Sequence, residues 1–378
     1  MKFLCKTRKS ICLTLKSSYM LKKTFATAIL MASFISAFSQ TDSSAPATAP
    51  PVTITGSVDV YYRYNFSNPK TEGVYNNYTS FTNSQSSFEL GMASIQAAHS
   101  FGKANAFADL GFGRRAQDFS YNDGVNNSYF SLANVKQLYV SYAITDKFKL
   151  TMGKWATHVG YELVDAYLNR NYSMDYMFSY GPFFHTGLKA DVSLGGKSAF
   201  MVGIANPTDN STTTSSTKFI IAQFSTGTKN DKLKAYLNFQ GANWGSGGSV
   251  NQFDLVVTGA VTDKFSIGYN GTVSSFKPDE GSSSSWWGSA LYLNVDPSSK
   301  VGLTLRGEYF DNKKGLLSIG SMPSSIFDLT FSTNFKIGNL TIIPELRLDN
   351  SSEEIFEKAD GTGTKSTVTG ILAATYHF

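Results

Sequence analysis

The sequence predicts an all-β fold, a transmembrane antiparallel up-and-down barrel of about sixteen strands with short periplasmic turns and long extracellular loops. Three observations carry this: a fifteen-residue stretch of apolar and polar alternation, a ladder of alternating short and long connections, and an alternating last segment that ends on an aromatic residue.

The first is Val52 to Phe66. Val52, Ile54, Val58, Val60, Tyr62, Tyr64 and Phe66 alternate with Thr53, Thr55, Ser57, Asp59, Arg63 and Asn65, so one face is oily and the other mostly polar. A soluble strand usually runs five or six residues, whereas a tilted strand crossing a bilayer needs about ten. If the oily face meets lipid, the polar face meets water.

Composition agrees. The 378 residues are 14% aromatic and only 16% charged, with 32 Gly against 10 Pro, which suits strands joined by tight turns. No run of eighteen apolar residues occurs in the body of the chain, which excludes helical spans there. The formal charge of +5 comes from residues 1–39, which hold seven Lys and Arg and no acid; the remainder carries 26 basic and 28 acidic residues, a net of −2. A nucleic-acid partner is not implied.

Those 39 residues read as a secretory signal. Lys22-Lys23 precede the apolar run Phe25 to Phe38, and Ala37 and Ser39 are small at −3 and −1 of a cleavage after Ser39. Residues 1–19 are either an upstream mis-start or a long basic region. Both cysteines, Cys5 and Cys12, lie in front of the apolar run, so the mature chain has no disulfide and no thiolate metal site. Residues 40–51, small and proline-rich, form a flexible periplasmic lead into a barrel over 52–378.

From Val52 onward, seven short turns fall at Gly102-Lys103, Thr145 to Lys147, Gly195 to Lys197, Thr228 to Asp231, Thr262 to Lys264, Asp296 to Lys300 and Gly338-Asn339. Between them lie eight longer gaps near 67–86, 116–132, 159–181, 207–217, 245–249, 277–284, 311–324 and 350–365. Fifteen connections make sixteen strands, with both chain ends on the short-turn side. Later segments keep the two faces: Leu233, Ala235, Leu237 and Phe239 against Lys234, Tyr236, Asn238 and Gln240, and Phe327, Leu329, Phe331 and Phe335 against Asp328, Thr330, Ser332 and Asn334. Residues 103–115 and 218–227 alternate less cleanly. The last segment puts Leu372, Ala374, Tyr376 and Phe378 on the lipid face, with Tyr376 and Phe378 as an assembly signal, and closes against Val52 to Phe66.

Over Thr151 to Glu162 (T-M-G-K-W-A-T-H-V-G-Y-E) and Leu168 to Gly187 (L-N-R-N-Y-S-M-D-Y-M-F-S-Y-G-P-F-F-H-T-G) the chain resembles the OmpL-like β-barrel porin family, of beta-barrel porin-2 type. The likeness covers essentially the whole barrel. It implies a Gram-negative outer-membrane channel and no particular substrate. Expected partners are outer-membrane lipid, the barrel-assembly machinery, small solutes and, by analogy with porin trimers, further copies of the chain. No cofactor, metal or enzymatic role is expected.

The loop 159–181, between the fifth and sixth strands, is the longest gap, at the position where a loop of general sixteen-stranded porins folds into the lumen. It carries Glu162, Asp165, Asp175 and Arg170 among six Tyr and Phe residues. Such carboxylates opposite a basic wall would set a transverse field across a constriction. Arg63, Arg115, Lys189, Arg306 and Arg347 are the wall candidates by parity, and Asp165 and Asp175 would favour cations. The competing reading is an outer loop packed by its own aromatics. His158 and His185 read as structural rim residues, because no metal or hydrolase spacing accompanies them. Trp155, Trp244, Trp286 and Trp287 read as interfacial girdle or rim residues, with a sugar-stacking platform inside the pore, built on Trp286 and Tyr292, as the rival. For the whole protein, a diffusion channel stands against a structural or partner-binding barrel with a plugged lumen; sixteen strands normally leave an aqueous passage.

Overall fold

The computed structural model describes residues 50–378 apart from 125–129, 246 and 321. The expected signal peptide and most of the lead lie outside the described residues. Sixteen strands close into one antiparallel barrel. The first eight are β1 (Thr53–Asn65), β2 (Ser87–Phe101), β3 (Ala104–Phe112), β4 (Val135–Thr145), β5 (Phe148–Ala156), β6 (Phe184–Gly195), β7 (Ser198–Ala205) and β8 (Phe219–Gly227). The rest are β9 (Leu233–Asn243), β10 (Ser249–Ala260), β11 (Phe265–Lys277), β12 (Ser284–Ser298), β13 (Val301–Asp311), β14 (Ser325–Ile337), β15 (Leu340–Ser351) and β18 (Ser366–His377). A small hairpin of β16 (Phe356–Glu357) and β17 (Gly363–Thr364) sits in the loop before β18. All seven short turns and eight long loops fall where the sequence places them, with ends shifted by a few residues.

Parity holds strand by strand. On β14, Phe327, Leu329, Phe331 and Phe335 are exposed on the outside, while Asp328, Thr330 and Ser332 are fully buried within. This inverts a soluble core, and only hydrocarbon outside makes it stable. Among the described residues no helix is long and apolar enough to cross a membrane. The turns between β2 and β3 and between β14 and β15 each place a glycine first, Gly102 at φ 57° and Gly338 at φ 59°. This is the turn whose twist matches the flanking strands, and it needs the left-handed freedom of glycine.

Closure joins the two chain ends. β1 pairs with β18 from Ser57 opposite His377 to Asn65 opposite Thr369. Gly56 and Phe378 then exchange backbone hydrogen bonds of 3.0 and 2.9 Å. The Phe378 ring lies over Gly56, where a Cβ would meet it at 2.6 Å. With no strand left unpaired in the barrel, no backbone donor row faces lipid.

Two expectations need correcting, one from parity and one from residue type. β3 ends at Phe112, and Arg115 lies on a short helix, Arg114–Phe119, so its guanidinium reaches the interior from a loop and not from a strand. Of the four tryptophans, Trp244 and Trp287 are exposed, as a girdle requires, but Trp155 and Trp286 are buried inside. Their positions on β5 and β12 give them the inward parity, and their indole rings fill space within the barrel.

Candidate functional site

Residues 157–183 leave β5 at the long-loop end, and their two limbs are joined at the neck by Thr157 N–H donating to the Phe183 carbonyl at 2.9 Å. From there they run against inward-facing side chains. On the first limb, Gly160 N donates to Asp254 of β10 at 3.1 Å and Tyr161 N to Asn270 of β11 at 3.2 Å. The Tyr161 ring stacks on Tyr292 of β12 with centroids 4.1 Å apart. Farther on, Tyr167 stacks on His377 at 5.0 Å, and Arg170 pairs with Asp296, close to the short turn between β12 and β13. The loop therefore reaches toward the opposite end of the barrel from its own neck.

The returning limb lies on β12 to β15. Two inward glutamates each hold two consecutive backbone N–H groups: Glu345 takes Tyr172 and Ser173 at 2.7 and 3.0 Å, and Glu308 takes Tyr176 and Met177 at 2.7 and 2.9 Å. A hydrogen bond to a charged acceptor contributes about 1.5–3 kcal/mol, so this main chain is held by the wall itself. Two arginines serve the carbonyls. Arg306 donates to Ser173 O at 2.7 Å and Arg347 to Met174 O at 2.6 Å. Both also bind Asp328, at 2.9 and 2.7 Å.

Of the loop acids, Glu162 pairs with Arg306 at 2.7 Å and Asp165 with Lys136 at 2.5 Å. Asp175 caps the short helix Tyr176–Tyr180 through Phe178 N at 2.6 Å and accepts from the Tyr292 hydroxyl at 2.7 Å. Their exposures of 3%, 5% and 0% leave no carboxylate facing water. Of the five expected wall bases only Arg306 meets a loop acid directly, while Asp165 is met by Lys136 of β4, which was not among them. Arg63 instead pins the first long loop, donating to the carbonyls of Tyr75, Asn76 and Ser84. Arg115 donates to Val164 O and Tyr172 O at 3.2 and 3.3 Å, between the rings of Phe81 and Tyr172. Lys189 does not meet the loop; it sits 3.8 Å from Asp191 and over the Trp155 ring at 5.4 Å.

Trp286 and Tyr292 do point inward, but both are covered: Trp286 stacks on Phe310 at 5.2 Å and Tyr292 lies under Tyr161. They form no free platform. His158 and His185 pack ring on ring at 5.0 Å, their Nε2 atoms on Phe239 O and Thr157 Oγ1. The wall residues that hold the loop, Glu308, Glu345, Asp328 and Lys136, escape sequence reading. The inward parity of the first three was a usable signal, yet parity does not tell a clamp from a pore lining; Lys136 shares the parity of the outward Leu138 and Val140 and turns inward where the register of β3 and β4 shifts.

Comparison with known proteins agrees with this architecture. A family described as Putative beta-barrel porin-2, OmpL-like matches residues 51–378. Among solved structures, the outer-membrane channel DcaP of Acinetobacter baumannii aligns with a TM-score of 0.56 at 12% identity, over 86% of this chain and 97% of that one. An anion-selective porin from Comamonas acidovorans gives 0.55 at 12%, over 87% and 99%. A trimer form of OmpT from Vibrio cholerae gives 0.52 at 12%, over 87% and 99%. At such identities the likeness is one of fold. A search of curated proteins finds no match.

Proposed function

The chain belongs to the OmpL-like porin family and is an outer-membrane channel for small solutes, and on that premise we propose that residues 157–183 form its constriction. The observation that carries this is the row of backbone hydrogen bonds from Tyr172 to Met177 onto Glu345 and Glu308, which holds the loop inside the barrel against one wall. Refolded protein in planar bilayers is expected to give small conductance steps, and replacing 159–181 by a short Gly-Ser link to enlarge them several-fold. Equal steps in both would remove the loop from the passage.

The loop acids are spent on internal partners, so they are poor candidates for selecting ions. The inward charges that keep contact with water are mostly basic: Lys149, Lys189 and Lys336 have side chains 51%, 21% and 43% exposed, against Asp191 at 31% and Asp296 at 33%. The channel is therefore read as favouring anions, the reverse of the sequence-based expectation. A second reading, a lumen plugged at rest, is favoured by the buried cluster of Phe81, Phe119, Phe178 and Phe183 beside the neck. It calls for no steps in the intact protein and steps only after the loop is shortened.

Three further features belong to this reading. Export uses a signal cleaved after Ser39, which intact mass of the outer-membrane protein checks. The barrel assembles as a homo-oligomer, as the trimer form of OmpT does, and cross-linking in native membranes tests that. Tyr376 and Phe378 serve as the assembly signal; deleting Phe378 should reduce the yield of folded barrel, and an unchanged yield would count against that role.

A further inference from the structure

At the long-loop end a cavity of about 550 Å³ opens among five loops. It lies within the 300–1,000 Å³ range of small-ligand sites. Three tyrosines line it: Tyr78, Tyr121 and Tyr180, one from each of three loops, with Phe183 below. Between them stand amide and carboxylate groups, notably Asn83, Asp118 and Asp209, and among the described residues no lysine or arginine contributes to the lining.

The polar groups are unequally occupied. Asp209 is saturated, with Oδ1 accepting from Phe183 N and Phe184 N at 2.7 and 3.0 Å and Oδ2 from the Tyr121 hydroxyl at 3.3 Å. The Asn83 Oδ1 takes an N–H from Asn77 at 2.7 Å. Asp118 is less committed: the Phe81 backbone serves its carboxyl, while its Oδ2 is tucked away from the cavity without a hydrogen-bond partner among the described residues. A buried acceptor without a donor costs about 1–3 kcal/mol, and a rotation of the carboxyl into the cavity would let a ligand hydroxyl relieve it. Flat aromatic faces beside such an acceptor suit a ring with apolar C–H faces and a hydroxyl rim.

We propose that this vestibule binds a short neutral oligosaccharide, two or three residues long, with Tyr121 and Tyr180 as stacking faces and Asp118 as hydrogen-bond acceptor. The site is separate from the buried Trp286 and Tyr292, which the loop covers. Its place beside the neck puts it before the constriction for a solute arriving from outside. The proposal goes beyond the channel reading and does not need the loop to be a constriction.

The test is isothermal titration of the full-length protein in detergent with maltotriose, cellotriose and chitotriose, and with spermidine and citrate as charged controls. At least one trisaccharide should bind, and the double variant Tyr121→Ala, Tyr180→Ala should weaken it about tenfold or more. Asp118→Leu should also weaken it, with the heat-modified gel shift of the folded barrel retained in every variant. Binding of spermidine alone, binding of citrate, no binding at all, or sugar binding indifferent to all three substitutions would each overturn the proposal. Sugar binding by a protein that never conducts would leave it standing and remove the channel reading instead.

Discussion

Two walls of the same barrel treat their charges in opposite ways. Where the loop lies over β13 to β15 the inward acids and bases are buried, and only Lys336 at the short-turn end of β14 stays exposed: Arg306, Glu308 and Asp328 are 0–1% exposed and Arg347 2%, and each of these four bonds to the loop or to a neighbour that does. On β5 and β6, in the half nearer the short turns, Lys149 and Lys189 pair with Asp191, Lys189 lies over Trp155, and all three keep contact with water. The difference separates two uses of a charged side chain in a barrel. Where main chain from a loop lies over the wall, charge is consumed in holding it; where the wall is bare, charge remains to act on ions.

The largest effect is expected at Arg306. It joins Glu162, Asp328 and two loop carbonyls, so Arg306→Met leaves the buried Glu162 without its base and Asp328 with Arg347 alone, at about 3–5 kcal/mol. The folded barrel should melt at lower temperature, and conductance should rise and fluctuate as the returning limb detaches. A variant that melts and conducts like the parent would mean that the wall does not hold the loop.

Next comes the bare wall. Lys149→Glu with Lys189→Glu leaves the strand pairing of β5 and β6 in place and turns the exposed inward charge acidic. Reversal potentials in a salt gradient should change sign. Asp165→Asn and Asp175→Asn, whose carboxylates are already spent, should move that potential little. If the two pairs of substitutions exchange effects, the assignment of the walls is inverted.

The sequence made the strands legible because the barrel obeys two local rules that leave marks in a single chain: lipid demands an apolar residue at every second position, and hairpins demand glycine or a polar dipeptide. Strand number, turn order and the pairing of β1 with β18 all follow from them. The interior obeys no such rule. Glu308 and Arg306 show the same inward parity as Lys189, and only the course of residues 157–183 decides that the first two are clamps while the third stays wet. Arg115 was misplaced for a related reason: the alternation over 103–115 is poor and leaves no mark of where β3 stops, although the chain has already turned into a helix after Phe112. Trp155 and Trp286 were drawn to the girdle by their residue type, against the inward parity of their positions.

The smallest effect is at the neck, where the held loop returns to the bare wall. Asp209 is buried against Phe183 N, Phe184 N and the Tyr121 hydroxyl. Burial pushes its carboxyl up to about 7 from 3.8, although those three donors and Lys154 pull it down. The folded state therefore binds the extra proton between these values. The stabilisation from Asp209 is complete below about 3.8 and is lost as pH rises through about 7. The thermal midpoint should fall as pH rises from about 4 to about 7, and Asp209→Asn, which keeps an acceptor for the two amides but cannot titrate, should flatten that fall. If the slope survives the substitution, the proton belongs elsewhere, and the neck is fixed by its backbone pairing and not by a carboxyl at the junction of the two walls.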